Sequence, residues 1–100
     1  MNEALLGELK YVEDHLEEYP HYCILNLCRL IYSFRTRDVV LSKAQAAQWA
    51  RTALEERASV VDLAEKAYAG LATPENFADM RKAVHGLFRY AVEEIKPTQP

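Results

Sequence analysis

Glycine and proline are scarce in this chain, at three and four residues in one hundred. So few chain-breaking residues exclude a loop-rich, low-complexity or disordered polypeptide. Half the residues are hydrophobic, enough for one small core and one domain. Cysteine is limited to Cys23 and Cys28. On one helix that spacing places them on different faces, which argues against a bond between them, and two thiols fall short of a closed metal site. The start, MNEALLGELK, carries two Glu and no basic leader ending in small residues. Both cysteines are therefore expected to be reduced core residues of a soluble, cytoplasmic protein. No apolar run approaches a membrane span, so no membrane contact is expected. Gly-rich phosphate loops, GxSxG and HExxH are all missing. The basic residues form no stripe, so nucleic acid is not expected as a partner.

What is present is acid at one end and helical periodicity throughout. Glu3, Glu8, Glu13, Asp14, Glu17 and Glu18 crowd the first eighteen residues, opposed only by Lys10. This run reads either as a solvated helix face or as a surface for a cationic partner. Asn2 is placed to cap a first helix with Leu5, Leu6, Leu9, Val12 and Leu16 on one side. Pro20 suits the first turn of a second helix, which is apolar nearly all round from Tyr22 to Phe34 and is therefore expected at the centre. It leaves the core at Arg35-Thr36-Arg37-Asp38, and Val39-Val40-Leu41 reads as an extended connector. Ser42 and Gln45 form a capping box for a third helix with a stripe of Ala46, Trp49, Ala50, Ala53 and Leu54. Ser59 and Asp62 repeat that pattern for a fourth, packing through Val60, Leu63, Ala64, Ala67 and Leu71 and ending near Gly70. Thr73-Pro74 opens a fifth, with Phe77, Met80, Val84, Leu87, Phe88, Ala91 and Ile95 inward and Pro97 as its stop. The expected fold is an all-α bundle of five helices around a buried second helix. Trp49, Tyr32 and Cys28 are expected in the core, and Arg29 to pair with an acid, within the chain or across an interface.

The order of the local motifs carries further. Leu25-Asn26-Leu27-Cys28-Arg29-Leu30-Ile31-Tyr32-Ser33, then Ser42-Lys43, then Ala46-Ala47-Gln48-Trp49-Ala50, then Ala64-Glu65-Lys66-Ala67-Tyr68-Ala69-Gly70 follow one another at characteristic distances. The set resembles the C-terminal helical domain of the aminoglycoside adenylyltransferases of the streptomycin/spectinomycin type. The resemblance covers most of the chain from about Glu13 onward.

Such enzymes transfer AMP from ATP to a drug hydroxyl. The resemblance implies a partner, an N-terminal nucleotidyltransferase domain whose Gly-Ser and Asp-x-Asp motifs hold ATP and Mg²⁺. Neither motif occurs in these hundred residues, so the chain looks like the second half of such an enzyme and is expected to bind no ATP or Mg²⁺, and to be inactive, alone. The part this half plays is binding. Asp14, Glu18 and His21 match the spacing of an acid-acid-His set that contacts the cationic aminoglycoside, and Lys43 and Tyr68 fall where the family contacts the nucleotide. An aromatic platform five residues before the first acid is replaced here by Leu9, with Tyr11 nearby. Two carboxylates four residues apart on a helix share a face and repel, which a guanidinium or ammonium group would relieve. Lys43 at a helix start would meet an anion where free amides already favour one. All five side chains are expected along one open cleft edge.

The alternative is a free-standing helical interaction protein that binds a separate nucleotidyltransferase or another partner. An upstream reading frame carrying Gly-Ser and Asp-x-Asp, continuous with Met1, would separate the two. A helical ribonuclease of the kind paired with minimal nucleotidyltransferases is disfavoured, because Arg81 and His85 stand too close in sequence for its Arg-His motif.

Overall fold

The computed structural model describes residues 3–36 and 42–95. Expectations for Asn2, Arg37, Asp38, Val39, Val40, Leu41 and Pro97, and for the side chains of Leu5, Leu6 and Lys43, lie outside what is described. Among the described residues five α-helices form: α1 Glu3–Asp14, α2 Pro20–Thr36, α3 Lys43–Ala53, α4 Ala58–Tyr68 and α5 Pro74–Ile95. No strand accompanies them there. None of these helices is long and apolar enough to cross a membrane.

The central position of α2 follows from its composition. A helix that is apolar on every side must be covered on every side, and α2 packs against α1, α3, α4 and α5. Cys23, Ile24, Leu27, Cys28 and Ile31 are fully buried on it. They meet Leu9, Val12 and Leu16 on one side, and Ala46, Ala47 and Ala50 or Met80, Val84, Leu87, Ala91 and Ile95 on others. Both cysteines are free thiols. Burial pushes Cys23 up to about 11 and Cys28 up to about 12, the latter against the opposing pull of the Arg51 charge. The Cys23 thiol donates to the Val12 carbonyl oxygen at 3.5 Å.

The helix ends show which signals worked. Ser42 and Gln45 make the capping box at the start of α3. Thr73 and Asn76 exchange the same reciprocal bonds at the start of α5, 3.1 and 2.9 Å long. Gly70, at φ 76°, ends α4: its amide bonds Ala67 and the Leu71 amide bonds Lys66, closing a Schellman turn.

Three expectations are corrected. α4 begins at Ala58 rather than after Ser59, and no side chain caps it. A 3₁₀ turn, Glu55–Arg57, runs straight into it, and the Glu55 carbonyl takes the Ala58 amide. Asp62, freed from capping, instead meets Arg51 of α3, which also binds Glu65. Leu71 does not join the α4 stripe: it is 68% exposed, because the turn at Gly70 directs it away, and Val61 is buried instead. Ala53 is exposed, with Ala47 taking the inward place on α3. Tyr32 and Trp49 lie edge to face at 5.3 Å at the margin of the core. There Arg35 covers the Trp49 ring and binds Glu94 and Tyr90 of α5.

Candidate functional site

The acids of interest lie where α1 gives way to α2. Pro20 disfavours the α conformation at Tyr19, the residue before it, and opens α2. α1 ends at Asp14, and residues 15–18 form a turn held by bonds such as Tyr19 amide to His15 carbonyl, 3.0 Å. The expectation that Asp14 and Glu18 share one continuous helix face is corrected accordingly: Asp14 closes the helix and Glu18 sits in the turn. Both are exposed. Asp14 is met by Lys10 at 3.2 Å, an exposed pair of small energetic weight. Glu17, between them, is gripped from α5: His85 Nε2 lies 3.2 Å from its carboxylate, and Arg81 Nε donates to its carbonyl oxygen at 3.0 Å.

His21 occupies the first turn of α2, and its ring is wedged between two others. Tyr68, the last residue of α4, lies 5.0 Å away and Phe77 of α5 lies 5.3 Å away. Burial lowers the His21 pKa below its ordinary value, so the ring is neutral near pH 7 and acts as a hydrogen-bonding group. Its Nδ1 is buried without a partner among the described residues, an unmet polar atom of the kind that native interiors seldom keep. Tyr68 is 46% exposed. Its pKa is raised, first by burial and then by the neighbouring Tyr22 and Cys23, with Arg29 opposing. The structure thus brings His21 and Tyr68 together. It places Lys43 at the first position of α3, and Asp14 and Glu18 on the segment leading into His21. Among the described residues Arg29 donates to the Asn26 amide oxygen at 3.2 Å rather than to an acid of the same chain. Asn26 is the buried polar residue of α2, and the guanidinium satisfies it.

An aromatic ladder, not expected from the sequence, also lies at this end of the bundle. Tyr11 and His15 stack at 4.3 Å, His15 and Tyr19 at 6.1 Å, and Tyr22 meets the edge of Tyr11 at 6.0 Å. His15 Nδ1–H donates to the Tyr11 carbonyl oxygen at 2.7 Å and fixes the ladder. The four-residue steps from Tyr11 to His15 to Tyr19 were the available signal. A separate pocket, lined by residues 52–57 and Tyr90, holds none of the expected site residues. Among the described residues no group of three or more His, Cys, Asp or Glu is placed to hold a metal ion.

A family model described as "Aminoglycoside adenylyltransferase, C-terminal domain" matches residues 1–94. No curated protein and no solved structure matches the chain.

Proposed function

The chain belongs to the family of aminoglycoside adenylyltransferase C-terminal domains, and from that premise we propose that it supplies drug and nucleotide contacts to an AMP transfer completed by a nucleotidyltransferase domain. Asp14, Glu18 and His21 would hold a cationic aminoglycoside. Lys43 and Tyr68 would face ATP. Mg²⁺ would be held by the partner domain, whose carboxylates these hundred residues do not include.

The observation that supports this most is the His21–Tyr68 contact at 5.0 Å. It sets a residue expected on the drug beside one expected on the nucleotide, and the two substrates of an AMP transfer must meet. The neutral His21 offers hydrogen bonds without adding positive charge against a cationic drug. The exposed acids just before it provide the opposite charge. Lys43, first in α3, stands where a helix start favours an anion.

Calorimetry of the chain reconstituted with its nucleotidyltransferase domain, using streptomycin, spectinomycin and ATP, tests the assignment. Glu18→Ala should weaken drug binding by roughly tenfold and leave ATP binding near wild type, and Lys43→Ala should do the reverse. Equal effects of both variants on both ligands would defeat it.

A further inference from the structure

We propose that Arg81 and His85 of α5 are positioning residues that present Glu18 to the drug, an inference that rests on the drug-binding reading above. The turn at residues 15–18 lies outside any helix, and contacts from elsewhere add to the local bonds that shape it. Two such contacts come from α5, and both fall on one residue. Arg81 binds the backbone carbonyl of Glu17 and His85 meets its carboxylate. Arg81 and His85 are one helical turn apart, so a single face of α5 offers both. That face is rigidly mounted: Met80 and Val84, the residues just before each of them, are fully buried. The contacts span 64 and 68 residues of chain, so they tie the acidic turn to the far helix.

The charge arrangement gives the clamp its consequence. Three carboxylates lie within five residues, and two are engaged: Asp14 by Lys10 and Glu17 by His85. Glu18 is exposed and has no partner among the described residues. It is therefore the carboxylate left to meet a cation, and its neighbour's carbonyl is the atom that Arg81 holds. Loss of that bond frees the turn to rotate Glu18 away and spreads the same three charges over many arrangements. The drug would then have to order the turn as it binds.

The test uses the hundred-residue chain, streptomycin and isothermal calorimetry. Arg81→Met keeps the aliphatic stem and removes the donor. It should weaken streptomycin binding roughly five- to tenfold with little change in thermal midpoint, and Arg81→Lys should recover most of that loss. Unchanged affinity in Arg81→Met beside a wild type that binds would overturn the positioning role and leave the drug-binding reading standing. So would a lowered midpoint without recovery by Arg81→Lys, which would mark a structural role only. A wild type that binds neither streptomycin nor spectinomycin would remove the drug-binding reading, and this inference with it. Should Arg81→Met fail to fold, His85→Leu decides in its place: weakened streptomycin binding supports the clamp, and wild-type affinity overturns it.

Discussion

His21 combines three properties that pull against one another. Its ring fills space between Tyr68 and Phe77, its Nδ1 is buried without a partner, and burial holds its pKa below the ordinary histidine value. The last has a consequence for stability. Where the folded pKa lies below the unfolded one, the unfolded chain binds more protons as pH falls beneath about 6.5, and folding weakens through that window. Glu94 acts in a more acidic window. Arg35 lowers its pKa by hydrogen bonding, so its contribution is complete above the ordinary carboxylate value and is lost as pH falls through the lowered one. His21→Phe keeps the ring contacts and removes both the proton site and the unmet nitrogen. Urea unfolding at a series of pH values should show a flatter profile for the variant just below pH ~6.5 and an unchanged loss at lower pH. An identical slope in both proteins would mean that His21 does not carry this linkage.

At the scale of elements, the bundle rests on α2. Leu27 is fully buried on it, and Leu27→Ala should cost ~2–5 kcal/mol in denaturant unfolding. A change within error would show that the centre of the bundle lies elsewhere. The sequence made this helix legible because a segment apolar on all sides has one place to go. The starts of α3 and α5 were legible too, since Ser42 with Gln45 and Thr73 with Pro74 are local signals with local outcomes. The start of α4 was not. Ser59 and Asp62 have capping-box spacing, but a 3₁₀ turn runs into the helix at Ala58, whose amide bonds Glu55, and Asp62 meets Arg51. Likewise the pattern of acids did not show that α1 ends at Asp14 and leaves Glu18 in a turn. The grip of α5 on Glu17 lay beyond any local reading, because nothing in the residues around Glu17 points to a partner 64 positions away.

Across the whole molecule, His21, Tyr68 and the acidic turn gather at one end of the bundle. The α1–α2 turn, the first turn of α2, the last residue of α4 and the early turns of α5 meet there through His21, Tyr68, Phe77 and Glu17. The candidate residues were visible as a spaced set in the sequence, and a shared edge was expected because drug and nucleotide must meet; the particular contact of His21 with Tyr68 forms where α4 packs on α2. The pocket around residues 52–57 and Tyr90 offers a competing location for a ligand. A heteronuclear NMR titration of the chain with streptomycin distinguishes the two directly. The largest amide shifts should fall between Asp14 and His21, with smaller ones at Tyr68 and Phe77. Shifts centred on residues 52–57 and Tyr90, or none at saturating drug, would contradict the account.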